Sequence, residues 1–324
     1  MIMIIENKIS KTLYELIGKA QELSRKKPQK ISVLLIGSNF EDVEELLEYG
    51  VDEVHVAFHK ELKRFSLDPF LRIALKIIKE IKPDIVISPA DTFGRTLMPA
   101  IAAALKTGLT ADCTELDFDE KGQFLQTRPA IGGNVMATII IPKHSPKMAT
   151  VRPRTFKPAE KIGKKERAFV KFWKVIEEDI KDRAKLLSFT PKEDEIDIQS
   201  ADVIVAVGKG MRKKENVEVA KKVANLVGGA VGASRAAVDA KWLSHDHQVG
   251  LSGKTVSPKV YIAAGISGAV QHVAGMKTSE TIIAINKDKY APIFKVSNIG
   301  IVADATSTLE EILRRLEKIA EEGK

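Results

Sequence analysis

Three short stretches of the chain carry residue types suited to holding phosphate: Gly208-Lys209-Gly210, Gly232-Ala233-Ser234-Arg235 and Gly265-Ile266-Ser267-Gly268. Each follows directly on an apolar run. Glycine lets backbone N–H groups come close to a phosphate, and a helix N-terminus adds a favourable dipole. Lys209 and Arg235 supply the charge to neutralise a pyrophosphate. One such turn merely ends a strand in any α/β fold; three in one sheet, with a base at two of them, favour a nucleotide. Other groups point less far. Gly253-Lys254-Thr255 ends like a P-loop, but Gln248 stands where that pattern needs glycine, and Ser244-His245-Asp246-His247 is no feeding strand. ATPase chemistry is therefore not expected. His245, Asp246 and His247 are metal-ligand types, but in a turn with no further histidine nearby a solvated cluster is the better reading. His55 and His59 read as surface or satisfied histidines near a strand end, Trp173 and Trp242 as packing residues. Cys113 has no redox partner and reads as a small, partly buried side chain. No Ser–His–Asp arrangement can be assembled.

These turns need strands to carry them. From Ala201 onward, Val203–Val207 and Val260–Ala264 read as strands ending at Gly208 and Gly265, and Ala230-Val231 as a short strand running into Gly232. Thr281–Ile285 and Ile299–Val302 are further strands. Helices are expected over Asn216–Leu226, from Ser267, and over Thr308–Glu321 with Ser307 as its cap. In open α/β sheets ligands bind at the carboxyl ends of the strands, where these turns lie. The first 110 residues alternate in the same way. Ile2–Ile5, Ile31–Ile36, Val51–Phe58 and Asp84–Ser88 read as strands. Ser10–Arg25 (capped by Ser10), Glu41–Tyr49 (stopped by Gly50), Pro69–Ile81 and Thr92–Leu105 read as helices. Such alternation argues for parallel sheets with helices on both faces. Residues 110–156 change to strands and loops, with Phe124–Thr127 and Ala137–Ile141 separated by Gly132-Gly133. Residues 157–200 read as a charged connector with one or two strands crossing between domains. The expected division is 1–200, an α/β domain with its extension and connector, and 201–324, a smaller parallel α/β domain.

The length of 324 residues suits about two domains. With 44% hydrophobic and 29% charged residues the composition is that of a globular protein, which excludes wholesale disorder. A single cysteine excludes an internal disulfide and any thiolate-rich zinc site, and suits a reducing cytoplasm. The apolar start, Met1–Ile5, is too short for a signal segment, and no run reaches the roughly 20 apolar residues that span a bilayer. The net charge of +8 raises the question of an acidic partner. Nucleic acid is not expected, since aromatics are only 6% and no recognisable nucleic-acid module is present. The charge is concentrated: residues 121–174 hold 13 Lys+Arg and 2 Asp+Glu. A solvated loop surface and a face toward a protein partner both fit it.

After residue 200 the sequence becomes specific. Gly232-Ala233-Ser234-Arg235-Ala236-Ala237-Val238-Asp239, Gln248-Val249-Gly250, Gly253-Lys254 and the block from Tyr261 to Asp288 resemble the flavin domain of the electron transfer flavoprotein alpha subunit. Ala291-Pro292-Ile293-Phe294 and Val302-Ala303-Asp304 continue the resemblance. It extends more weakly into the first half at Thr127-Arg128-Pro129-Ala130, Met136-Ala137-Thr138 and Thr150-Val151-Arg152-Pro153. The resemblance implies two parallel-sheet domains, the first nucleotide-binding-like and the second doubly wound and binding one FAD. It implies a heterodimer with a beta subunit that holds AMP or, in electron-bifurcating members, a second FAD. It further implies dehydrogenase donors and a quinone- or ferredoxin-linked acceptor, so that the chain is an electron carrier. The rival class is a nucleotide-binding regulatory module without redox function.

By the same resemblance Ser234 and Arg235 match cofactor contacts, with the arginine near the isoalloxazine, where its charge favours the reduced, negative flavin. Ser252 matches a hydroxyl that hydrogen-bonds flavin N5, and His272 a histidine directed at the O2 edge. Gln248, Ser267 and Gln271 match contacts along the ribityl–pyrophosphate portion, and Asn286 and Asp304 contacts near the adenosine, with Asp304 suited to ribose hydroxyls. Lys209, Val249, Gly250 and Gly265 complete the implied cofactor-binding set. Lys209 stands where many members have arginine, so it neutralises charge without a bidentate fork. Leu251 replaces a glutamine found in some members, and Ser252 replaces a threonine.

Overall fold

The structure is a computed structural model and describes residues 1–130, 135–188, 198, 199 and 201–322. Gly132-Gly133 and the end of the expected connector, 189–197 and 200, lie outside the described residues. The chain divides into two compact units, Met1–Ser188 and Phe189–Lys324.

In the first unit the strands are β1 (Ile2–Glu6), β2 (Ile31–Gly37), β3 (Glu53–Phe58), β4 (Ile85–Pro89), β5 (Leu109–Cys113), β6 (Glu115–Phe118), β7 (Phe124–Pro129), β8 (Met136–Ile139), β9 (Lys147–Val151) and β10 (Phe169–Trp173). Its helices are α1 (Lys11–Lys26), α2 (Leu67–Ile81), α3 (Thr92–Leu105) and the short α4 (Glu177–Ile180). Among the described residues, seven strands form one parallel sheet in the order β10-β3-β2-β1-β4-β9-β5, and β6, β7 and β8 form a small antiparallel sheet. Every residue of β1 and β2 is buried, which is why both read as unbroken apolar runs rather than alternating ones. Ser10 caps α1 as expected, its Oγ accepting from the Leu13 N–H at 3.1 Å. Asp91 caps α3 in the same way through Gly94.

Three expectations change here. The expected helix Glu41–Tyr49 is a 3₁₀ turn over Val43–Tyr49, entered through a left-handed Asp42, with Val43, Leu46 and Leu47 buried beneath it. The strand expected to cross between domains is β10, and it lies parallel to β3 at the edge of the first sheet, from Phe169 beside Glu53 to Trp173 beside Ala57. Part of the basic segment is neutralised within the unit. Lys161 pairs with Glu45 at 2.7 Å, Lys165 with Asp52 at 2.8 Å, Lys171 with Glu80 at 3.0 Å and Arg152 with Asp112 at 2.7 Å. Cys113 is fully buried, and burial pushes its thiol up to about 12, so it stays protonated.

In the second unit β11 (Val203–Val207), β12 (Ala230–Ala233), β13 (Val260–Ala264), β14 (Thr281–Ile285) and β15 (Ile299–Ile301) form a parallel sheet. The strand order is β12-β11-β13-β14-β15. The helices are α5 (Val217–Leu226), α6 (Arg235–Asp239), α7 (Val270–Val273) and α8 (Ala305–Glu322). The period of two sorts side chains between the faces. Val205, Val207, Ile262 and Ala264 pack with residues of α5 and α8; Ile204, Ala206, Tyr261 and Ala263 face the other way, against Val249, Val256, Ile266 and Ile293. The helix expected from Ser267 begins only at Val270. Gly268 is left-handed there (φ 88°), and a Cβ on it would lie 2.2 Å from the Ile293 nitrogen. The last helix begins at Ala305, earlier than expected. Asp304 rather than Ser307 is at its start, with Oδ1 accepting from the N–H groups of Thr306 and Ser307 at 3.1 and 3.3 Å.

Candidate functional site

The chain leaves β11 for β12 on one side and returns to β13 on the other, so the strand order reverses between β11 and β13. At such a point the two connections diverge and leave a crevice outside the carboxyl ends of the strands. The backbones meet closely there. The Gly208 N–H donates to the Ala264 carbonyl at 2.8 Å and the Gly210 N–H to the Gly265 carbonyl at 2.9 Å. A Cβ on Gly208 would lie 2.2 Å from the Gly265 oxygen, and one on Gly210 2.6 Å from the Gly265 Cα. These glycines therefore serve the approach of two turns as well as the floor of the crevice.

A cavity of about 640 Å³ opens at this point, within the usual range for small-molecule sites. Twelve of the thirteen residues singled out from the sequence line it. Asp304 does not. Its carboxylate caps α8 and pairs with Arg212 at 2.9 Å. Residues beyond those thirteen also line the cavity, among them Gly210 and Ile266 of the glycine turns, Leu251, and the unassigned Asp239 and Asp288.

One wall is the turn after β12. Ser234 is held by its N–H, which donates to the Val207 carbonyl at 3.0 Å, while its Oγ is buried without a partner among the described residues. Arg235 opens α6 and is 73% exposed, with Nε 3.5 Å from Asp239 Oδ2. Residues 248–254 form a second wall. The Val249 N–H donates to Ala233, the Lys254 N–H to Gln248, and the Leu251 N–H to Gln271, at 2.9, 2.7 and 2.9 Å. Gly250, at φ 144°, sits where a Cβ would lie 2.8 Å from the Gln271 oxygen. Gln248 Nε2 donates to Ser252 Oγ at 2.9 Å, which leaves the Ser252 hydroxyl its own proton to give. His245, set aside in the sequence, supports this loop through its Nε2, 3.2 Å from the Ser252 carbonyl. His247 holds the Val231 carbonyl through Nδ1 at 2.8 Å.

The third wall comes from the loops after β13 and β14. Asn286 Nδ2 donates to the Ile266 carbonyl at 2.9 Å and its Oδ1 accepts from the Asp288 N–H at 3.0 Å, so this amide ties two turns together. The Ser267 carbonyl accepts from the Ile293 N–H at 3.0 Å. His272 is buried, with Nε2 3.0 Å from the Tyr261 hydroxyl and Nδ1 without a partner among the described residues. Burial brings its imidazole down to about 4, opposed by the nearby Val249 backbone, so it is neutral at ordinary pH.

A dinucleotide cofactor fits this arrangement. Ser234 Oγ and His272 Nδ1 are buried polar atoms in the cavity's lining residues without a partner among the described residues, and such atoms normally find one. Lys209 and Arg235 bring positive charge to the cavity lining, which also holds the acids Asp239 and Asp288. Residues 3–176 match the electron transfer flavoprotein domain family, and residues 197–277 match the electron transfer flavoprotein FAD-binding domain family. The chain belongs to the electron transfer flavoprotein alpha-subunit family. It is 45% identical to Protein FixB of Clostridium saccharobutylicum, over 97% of this chain and 94% of the relative. It is 43% identical to the electron transfer flavoprotein subunit alpha of Thermoanaerobacterium thermosaccharolyticum, over 96% and 95%. It is also 40% identical to the lactate dehydrogenase (NAD(+),ferredoxin) subunit LctC of Acetobacterium woodii, over 97% and 75%. As an alpha subunit it is an electron-transfer flavoprotein that binds FAD. No helix among the described residues is long and apolar enough to cross a membrane.

Proposed function

We propose that the cavity at the carboxyl ends of β11 and β13 holds the FAD, and that this flavin carries electrons between dehydrogenases and a quinone- or ferredoxin-linked acceptor in the cytoplasm. The observation that carries the reading is the pair of buried polar atoms without a partner among the described residues, Ser234 Oγ and His272 Nδ1, on residues that line one cavity at the strand-order reversal. The turns at Lys209, Gly265 and Ser267 would hold the pyrophosphate, with Gln248 and Gln271 along the ribityl chain and Asn286 toward the adenosine. Arg235, Ser252 and His272 would surround the isoalloxazine, and Val249 and Gly250 would supply backbone at its edge. Bound there, the flavin supplies the redox chemistry. The protein's part is to fix the ring and set what it meets: a cation at Arg235, a hydroxyl donor at Ser252 and a neutral imidazole at His272. A regulatory module that only bound a nucleotide would need none of these three. The lone, buried Cys113 is in keeping with a reducing compartment.

The heterodimer purified with its beta subunit is expected to be yellow and to bleach on reduction. A colourless complex that takes up no flavin when refolded with excess FAD refutes the reading. The relative at 40% identity whose name joins NAD+ to ferredoxin favours a second reading, a role in electron bifurcation. The two are separated by what the heterodimer releases on denaturation: two FAD for bifurcation, one FAD and one AMP for a single-flavin carrier.

A further inference from the structure

Tyr261 is the second residue of β13, fully buried on the sheet face turned away from α5 and α8. The proposed function gives it no part, and it does not line the cavity. Its hydroxyl nonetheless lies 3.0 Å from His272 Nε2, with the ring centroids 6.1 Å apart. A buried phenol has a proton to place, because an unsatisfied hydroxyl inside a protein is costly. Burial raises the Tyr261 pKa well above its ordinary value, so that proton stays on oxygen. His272 Nε2 is the partner within hydrogen-bond distance, and accepting from the phenol gives that proton its place.

The consequence passes through the ring. A neutral imidazole carries one proton; if Nε2 accepts from the phenol, the proton must sit on Nδ1. Nδ1 is the nitrogen that is buried and unpartnered among the described residues, in a side chain that lines the cavity. We infer that Tyr261 is a positioning residue: its hydroxyl fixes His272 in the tautomer protonated at Nδ1, and so presents a neutral N–H donor to an acceptor atom of the bound cofactor. This rests on the reading of the cavity as the flavin site, and adds the group that decides what His272 offers there. Arg235 then provides the charge and His272 a directed hydrogen bond, two functions that separate substitutions can remove one at a time.

The test is nitrogen NMR on the heterodimer labelled with 15N-histidine, with the His272 signals assigned by their loss in His272→Gln. The wild-type complex, once deflavinated, is expected to show a protonated Nδ1 and an unprotonated Nε2. Adding FAD is expected to shift the Nδ1 resonance. In Tyr261→Phe the single tautomer is expected to give way to a mixture, and the flavin reduction potential to fall as the donor is lost for part of the population. A wild-type spectrum with the proton on Nε2 overturns the inference without any variant. A Tyr261→Phe complex that keeps both the pure Nδ1–H tautomer and the wild-type potential overturns it as well. If the tautomer is as expected but FAD leaves Nδ1 unmoved, delivery to the cofactor is refuted, and the failure lies in the reading of the cavity rather than in the Tyr261–His272 contact.

Discussion

Gly208→Ala tests whether the two backbones must meet where the strand order reverses. The added Cβ would lie 2.2 Å from the Gly265 oxygen, 2.7 Å from its carbonyl carbon and 2.8 Å from the Ile266 Cα. All three are backbone atoms, so no rotamer change relieves the overlap. Ordinary contact starts at 3.4 Å, and the Gly265 carbonyl would therefore have to retreat by about 1 Å. Overpacking of this kind costs about 1–3 kcal/mol. The hydrogen bonds from Gly208 to Ala264 and from Gly210 to Gly265 stand in the path of the movement, and each contributes about 1 kcal/mol. A total of about 3–5 kcal/mol falls on turns that line the cavity, and about 1.4 kcal/mol of it expressed in binding weakens FAD tenfold.

Gly228→Ala is the control. That residue is left-handed (φ 62°) with nothing within 4 Å of a Cβ, so alanine there costs about 1–2 kcal/mol of backbone strain away from the cavity. Thermal midpoints of the heterodimer and FAD titrations of the deflavinated complex read the two effects separately. Both variants are expected to melt earlier, and only Gly208→Ala to lose flavin affinity by tenfold or more. If Gly208→Ala binds FAD within twofold of wild type, the close approach of these turns does not shape the site.

Other measurements address single groups. Arg235→Ala is expected to lower the flavin reduction potential by an amount on the order of tens of millivolts, the size of a screened charge near the ring, since the side chain is 73% exposed; an unchanged or higher potential places the arginine elsewhere. Asp304→Ala is expected to cost about 1 kcal/mol as a lost helix cap and to leave FAD affinity unchanged, because Asp304 is not a cavity wall; a tenfold loss of affinity would restore it as a ribose contact. Glu6 is fully buried at the end of β1 with Oε2 unpartnered among the described residues, and burial, followed by the nearby Asp91 charge, raises its pKa to about 8. Between its ordinary value and about 8 the folded chain keeps a proton that the unfolded chain has lost, so rising pH lowers stability through that window, by a few kcal/mol at most. Glu6→Gln removes this slope, and its melting temperature relative to wild type is expected to climb from pH 5 to pH 9; parallel profiles contradict the buried, protonated carboxyl.

The elements that position the site were legible because their patterns are local. Continuous apolar runs named β1, β2, β11 and β13, and the glycine after each of β11 and β13 marked the turns that form the crevice. What was missed depended on structure that the local pattern does not contain. β10 shows two exposed phenylalanines, Phe169 and Phe172, and only its pairing with β3 gives it a place in the first sheet. Asp304 followed a strand and was given a ribose contact by resemblance, while Ser307 was read as the helix cap. The two backbone N–H groups it accepts from exist only once Ala305–Glu322 coils, so its part as a cap could not be read ahead of the helix.

Tyr261 marks the limit of such reading most clearly. In the sequence it is one aromatic in an apolar strand, and by composition it belongs to the core. The alternation of β13 puts it on the face against residues 249–293, and α7 then brings His272, eleven residues later, within 3.0 Å of its hydroxyl. Neither residue type predicts the other, because the spacing crosses a strand, a left-handed glycine turn and the start of a helix. A histidine facing a cofactor has two nitrogens, and the sequence names the residue without saying which nitrogen it offers. That choice is made behind it, by a phenol that never reaches the cavity.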